Sequence, residues 1–176
     1  DHVNALVRHV PGDFLDLVSL DINPENPDEY RVGNNWQRFE HVTESIMVKD
    51  AKTQQVDVKR SMWGPVATQT LLDKSVAIHW TALDHEAVNI ALIDLEQTEA
   101  LEQAVNIVNH AGGPHLNFLL ADSSGHIAWT IMGRIPKRYG SDGSVSRSWA
   151  DGAVGWDGYV DAQSLPREID PVDGLL

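Results

Sequence analysis

Hydrophobic and polar positions alternate along much of the first eighty residues, as β-strands with one buried face require. The run 14–22 predicts a strand that is buried on at least one face. Two Asn-Pro steps within 23–27 predict a loop after it, because the residue before a proline disfavours helical backbone. Two hairpins and a further short strand are then predicted, with strands at 30–32, 36–39, 43–48, 55–60 and 76–80.

The pattern changes to helical spacing in the middle of the chain. Two short helices are predicted, over 86–95 and over 98–110, with Thr98 as the N-cap of the second. Beyond them, the pattern predicts strands at 116–121 and 126–132 around a turn at 122–125, an exposed loop at 139–155 and an extended end after 165. The predicted class is α+β, mostly antiparallel hairpins with a short helical insert.

Length and charge narrow the range of functions. The chain has 176 residues, the size of one domain spanning 1–176, and its net charge is −13. So negative a charge argues against nucleic acid and anionic membrane surfaces as partners, and no segment approaches the ~20 apolar residues of a membrane helix. The absence of cysteine excludes disulfides, a thiol nucleophile and zinc–thiolate sites. Common phosphate-binding, zinc-protease and serine-elbow motifs are also absent.

Few residues suggest chemistry by themselves, and the six tryptophans are assigned to packing in the core and between strands. Asp13 and Asp16 place hard oxygen ligands at short spacing, which suits calcium, although two acids near a turn are commonly just solvated. Asn117 is a carboxamide at the start of an apolar strand, where a buried amide needs partners. It either bonds to backbone at the strand end or aims its donor at a developing oxyanion, and the residues alone leave both interpretations open.

Several segments, taken together and in order, resemble the β-chain of the penicillin acylase family of N-terminal nucleophile hydrolases. The resemblance is closer to acyl-homoserine lactone and aculeacin-type acylases because of the Gly-Arg-Ile-Pro stretch at 133–136. The matching segments are 12–17, 22–30, 36–39, 63–66, 79–84, 117–122, 125–127, 133–136 and 155–158.

This resemblance implies a fold and a mechanism. The fold would be a portion of an αββα sandwich with two stacked antiparallel sheets. The chemistry would be hydrolysis of an N-acyl amide by a serine at a new N-terminus, whose own amino group is the base, with an acyl-enzyme and an oxyanion hole. No organic cofactor is implied.

The resemblance also implies roles for particular residues. Asn117 matches the side-chain donor of the oxyanion hole, and His9 falls where a backbone N–H supplies the other donor. Arg138 matches an arginine that orients the surroundings of the nucleophile. Asp13 and Asp16 match positions that ligate calcium in some members, and Asp122 is a weaker third candidate for a structural calcium site.

The family places its serine well before Asp13 and continues beyond 176 into a helical region. The chain is therefore interpreted as an internal fragment of an acylase β-chain, expected to be inactive alone. Its partners would be the remaining α- and β-chain segments and a small N-acyl amide, in a periplasmic or secreted enzyme. The alternative is a non-catalytic binding or assembly module that forms homo-oligomers through exposed sheet edges.

Overall fold

The computed structural model describes residues 14–113 and 115–174. Helix α1 is Leu101–His110, and 3₁₀ segments lie at Thr81–Leu83, Ala91–Gln97 and Ala162–Ser164. The strands are β1 (Leu15–Ser19), β2 (Glu29–Val32), β3 (Asn35–Arg38), β4 (Glu40–Ile46), β5 (Gln54–Ser61), β6 (Gly64–Pro65), β7 (Val76–Trp80), β8 (Leu116–Ala121), β9 (Ile127–Met132), β10 (Pro136–Tyr139), β11 (Arg147–Ser148), β12 (Gly155–Tyr159) and β13 (Arg167–Ile169).

These elements form two compact units. The helical unit comprises Phe14, residues 81–137 and residues 156–174, and the strand unit comprises residues 15–80 and 138–155. The chain passes from one unit to the other within β10 and again within β12. Within the described residues, no helix has the length and apolar character needed to cross a membrane.

The helical unit consists of an antiparallel sheet with α1 against one face. The strand order is β13-β9-β8, and β8 and β9 pair from Leu116↔Met132 to Ala121↔Ile127. The helix forms because its apolar residues recur at helical spacing, and that stripe meets alternate residues of β9. Val105 and Val108 are both fully buried there, and burial of such a side chain contributes about 1.5–3 kcal/mol.

The strand unit contains three smaller sheets. β1 pairs in antiparallel fashion with β7 and in parallel with β11; β2 pairs with β3; and β4, β5 and β6 form the third sheet. Tyr30 is 1% exposed, and its ring lies 4.6 Å from that of Phe39 and 5.6 Å from that of Trp63. Burial raises the pKa of Tyr30, whose hydroxyl accepts a hydrogen bond from the backbone N–H of Met62.

Three sequence-based predictions of local structure were wrong. Residues 86–95 do not form a helix: the side-chain oxygen of Asn89 accepts from the N–H of Ala91, and the 3₁₀ segment Ala91–Gln97 follows. Thr98 does not cap α1, because its hydroxyl donates to the carbonyl of Leu95. Nor is 139–155 simply an exposed loop, because it contains β11 and buries Trp149.

Candidate functional site

Asn117 is the second residue of β8 in the helical unit, where it lies opposite Ile131 of β9. Its side chain is exposed, yet its Oδ1 accepts a hydrogen bond of 3.1 Å from the indole N–H of Trp129. The partner is therefore a side chain on the neighbouring strand and not the backbone at the strand end. This contact links the exposed amide to a tryptophan that is only 5% exposed.

The indole partner determines which way the Asn117 amide faces. An indole N–H donates and never accepts, so the atom that faces it must be the amide oxygen. The NH₂ group is therefore the half of the amide directed away from Trp129. Within the part of the chain that the structure describes, this NH₂ makes no hydrogen bond, so Asn117 presents a side-chain donor to its surroundings.

Strand β9 is anchored by a buried polar network on its α1 face. Asn109 of α1 donates through Nδ2 to the Thr130 hydroxyl at 2.7 Å and to the carbonyl of Ile131 at 3.0 Å. The Thr130 hydroxyl in turn donates to the carbonyl of Pro166 at 2.9 Å. Thr130 is fully buried, and these bonds hold the strand segment that carries Trp129.

His115 precedes β8 and ties its start to the segment after β9. Its Nε2 donates to the carbonyl of Arg134 at 2.5 Å, and its ring stacks on Phe14 with centroids 4.8 Å apart. Burial lowers the pKa of His115, which favours the neutral imidazole near physiological pH. His115, two residues before Asn117, thus connects the start of β8 to the segment after β9 as a neutral hydrogen-bond donor.

Arg138 lies on β10 in the strand unit, where it forms a buried ion pair with Asp16 of β1. The Nε atom of Arg138 lies 3.1 Å from Oδ1 and 3.0 Å from Oδ2 of Asp16. The two side chains are only 11% and 8% exposed. The structure thus brings together Arg138 and Asp16, whose roles near a nucleophile and at a calcium ion, as implied by the resemblance, stay predictions.

The side chain of Asp122 accepts hydrogen bonds within the turn between β8 and β9. Its Oδ1 accepts from the backbone N–H groups of Ser124 at 2.8 Å and His126 at 3.0 Å. Among the described residues, no three acidic or histidine side chains converge as metal ligands, and Asp16 already faces a guanidinium. The structural calcium site assigned to Asp13, Asp16 and Asp122 stays a prediction. His9 and Asp13 lie outside the described residues, and their assigned roles stay predictions.

Sequence reasoning missed two histidine–carboxylate clusters. In the strand unit, His41 lies between Asp57 and Asp28, with each ring nitrogen 2.8 Å from a carboxylate oxygen. In the helical unit, His126 Nδ1 lies 2.7 Å from Asp170. Hydrogen bonds that the histidines donate to these carboxylates raise the pKa of both histidines. Asp28 and Asp57 lie 13 and 16 positions from His41 in the chain, so the first cluster is visible only in the folded structure.

The contact of Trp129 with Asn117 was also missed, because it depends on the exact register of the hairpin. All six tryptophans were assigned to packing. The predicted four-residue turn at 122–125 would pair 121 with 126 and place position 129 opposite 118. In the structure, position 121 pairs with 127, and this one-residue difference places position 129 opposite 119 and diagonal to 117.

The arrangement of these strands matches that of a solved structure. The structure aligns with a thermostable penicillin G acylase from Alcaligenes faecalis with a TM-score of 0.79 over 93% of this chain and 30% of that one, at 22% identity. The prediction of an α+β chain that forms a mostly antiparallel portion of the N-terminal nucleophile hydrolase fold is thereby confirmed.

The chain belongs to the penicillin amidase family, whose sequence pattern matches residues 9–176. Among curated proteins, it is 27% identical over 173 residues to the acyl-homoserine lactone acylase QuiP of Pseudomonas fluorescens, covering 95% of this chain and 21% of that protein. It is 22% identical over 173 residues to the penicillin acylase 2 proenzyme of a Pseudomonas species, covering 97% and 22%. The predicted resemblance to this family is confirmed, and the chain spans about a fifth of the length of these relatives.

Proposed function

We propose that this chain is one segment of an amide hydrolase and that Asn117 is a donor of its oxyanion hole. The observation that carries the proposal is the orientation of Asn117, whose oxygen is held by Trp129 while its NH₂ faces away. Attack on an amide carbonyl places negative charge on the carbonyl oxygen, and a preformed N–H donor stabilises that charge. The fold and the family membership support this class of chemistry.

The proposed reaction cleaves an N-acyl amide in two steps. A serine nucleophile outside these 176 residues attacks the acyl carbon, with its own α-amino group as base, and the amine leaves. Water then hydrolyses the acyl-enzyme. Asn117 would bind the oxyanion in both steps, together with a backbone N–H at His9. Because the relatives include an acyl-homoserine lactone acylase, an N-acyl-homoserine lactone is the first substrate to test.

The test uses the product of the complete open reading frame that encodes the chain. Asn117→Ala is expected to lower kcat for release of the free amine by about 10²–10³-fold, the loss typical of one oxyanion donor. Asn106→Ala, which removes an exposed amide on α1, is the matched control and should leave kcat unchanged. An unchanged kcat in Asn117→Ala would overturn the proposed function.

Two further parts of the proposal have their own readouts. The 176-residue chain alone should not turn over an acyl amide, because the nucleophile would be supplied by another segment. Turnover by the isolated chain would contradict this. Export to the periplasm or the medium stays a prediction, and fractionation of cells that express the complete product would test it.

A non-catalytic assembly module is the second candidate, and one observation favours it. The β4–β5 hairpin exposes apolar side chains near its tip, with Met47 89% and Ile46 49% exposed. Apolar surface of this kind is typical of a contact with another chain. Light scattering across a concentration series would reveal self-association, and a monomer at every concentration would count against this candidate.

A further inference from the structure

We infer that Trp129 is a positioning residue, which holds the amide of Asn117 with its NH₂ group outward. This inference rests on the proposed function of Asn117. It adds a requirement that the fold alone does not impose, namely that the donor side of the amide is selected by a hydrogen bond from the neighbouring strand.

The register of the β8–β9 hairpin creates the contact. Asn117 pairs with Ile131 and Leu119 pairs with Trp129, so Asn117 and Trp129 are diagonal neighbours on one face. Alternate side chains of a strand point to opposite faces, and Thr130 faces α1 through its bond to Asn109. Trp129 therefore extends across the face opposite α1, where its indole N–H reaches Asn117 at 3.1 Å.

Tryptophan is suited to orient the amide because its ring nitrogen donates a hydrogen bond and cannot accept one. The two ends of an Asn amide have nearly the same shape, and an exposed amide without a partner can present either end. The oxygen end would repel a developing oxyanion, whereas the NH₂ end would stabilise it. An indole N–H accepts nothing and therefore selects the orientation in which the oxygen faces the ring.

The indole itself is held in place. Trp129 is 5% exposed, and its neighbour Thr130 is bonded both to α1 and to the carbonyl of Pro166. The burial fixes the ring, and the hydrogen bonds fix the backbone on which it stands. Trp129 thus orients the exposed amide of Asn117 from a rigid position in the sheet. This role does not require Trp129 to touch the reacting atoms.

The experiment is a double-mutant cycle in the product of the complete open reading frame. Trp129→Phe keeps an aromatic ring but deletes the donor, and is expected to lower kcat about fivefold with little change in KM, as for loss of one hydrogen bond. Trp36→Phe, on the exposed strand β3, is the matched control. In the Asn117→Ala background, Trp129→Phe should cause no further loss of kcat, because the amide that it positions is gone.

The outcomes separate the two proposals. An unaffected Asn117→Ala enzyme would overturn the proposed function. A large loss in Asn117→Ala together with an unchanged Trp129→Phe enzyme would overturn only the positioning role. An equal loss from Trp129→Phe with and without Asn117 would also overturn it, since that is the behaviour of a packing residue.

A spectroscopic measurement keeps the inference falsifiable if Trp129→Phe fails to fold. In ¹H–¹⁵N spectra of the Asn117→Ala protein, the Trp129 indole N–H should shift and exchange faster with solvent, because its acceptor is absent. The indole signals of Trp36 and Trp63, in the strand unit, serve as internal controls. An unchanged Trp129 signal would show that the hydrogen bond does not hold the amide, and would overturn the inference.

Discussion

Arg138 and Asp16 bind each other through the guanidinium Nε atom, which lies 3.1 and 3.0 Å from the two carboxylate oxygens. They are 122 positions apart in the chain, and both side chains are nearly buried. A buried charge is costly without its partner, so this pair makes each residue dependent on the other. Loss of either charge should therefore lower the stability of the fold.

Asp16→Asn is expected to destabilise the protein by about 3–5 kcal/mol, because it removes the negative charge that faces the nearly buried guanidinium of Arg138. Urea unfolding followed by circular dichroism would measure the change. Asp50→Asn, in the exposed turn between β4 and β5, is the control and should change the free energy of unfolding by less than about 0.5 kcal/mol. A loss below about 1 kcal/mol in Asp16→Asn would contradict the importance of the pair.

Gly143→Ala should be more destabilising than Gly152→Ala. Both glycines have positive φ, +81° and +73°, so both substitutions incur the left-handed backbone cost of about 1–2 kcal/mol. A Cβ at Gly143 would also lie 2.5 Å from Nε of Arg138, whereas nothing lies within 4 Å of one at Gly152. The difference between the two melting temperatures isolates the clash with the buried ion pair. Equal melting temperatures would show that Arg138 and Asp16 can move away from the new Cβ without loss of stability.

Thr130→Val is expected to destabilise the helical unit by about 1–3 kcal/mol. Valine has nearly the same shape, but it leaves the carbonyl of Pro166 without its donor and removes one acceptor from Asn109. Chemical denaturation would measure the effect. Thr43→Val, on exposed β4, makes the same chemical change without burial and should be close to neutral.

The stability contribution of His41 should depend on pH. Its folded pKa is raised above the ordinary value of 6.5, first by its bond to Asp28 and then by its bond to Asp57. The contribution is therefore complete below pH 6.5 and disappears as the pH rises through the raised folded pKa. Neutral imidazole has one N–H, so it cannot donate to both carboxylates.

Unfolding free energies of wild type and His41→Gln, measured from about pH 5.5 to about pH 9, would test this linkage. The difference between the two proteins should be largest at the acidic end and shrink toward the alkaline end. His85→Gln is the control, since its side chain is 91% exposed. A difference that grows with pH would contradict the assigned sign.

Sequence reasoning succeeded where the determining contacts are local. β7 was predicted with its observed bounds, and the β8–β9 hairpin lies within a residue of its prediction, because alternation and turn residues act over a few positions. The parallel pairing of β1 with β11 had no such signal, since it joins positions 129 residues apart, such as Val18 and Arg147. The predicted helix over 86–95 failed because helical spacing there was outweighed by the local hydrogen bond of Asn89.

For the candidate site too, the sequence predicted some residues and not the contacts between distant ones. Asn117 was found through its resemblance to a family position, and a single sequence contains no rule that joins Asp16 to Arg138 across 122 residues. Trp129 was not identified, because the predicted turn gives a register one residue away from the observed one and places position 129 opposite 118 instead of 119. It was assigned to packing because a large aromatic residue on a strand ordinarily fills a core.

The indole that binds Asn117 is also a fluorophore. A substrate analogue or any other acceptor that binds the Asn117 NH₂ group polarises the amide, and this change reaches the Trp129 ring through the hydrogen bond to its nitrogen. With the other five tryptophans of these 176 residues replaced, together with any elsewhere in the complete product, the emission of Trp129 would then report occupancy directly. The strand pair thus contains its own optical sensor of binding, which would give a titration without turnover.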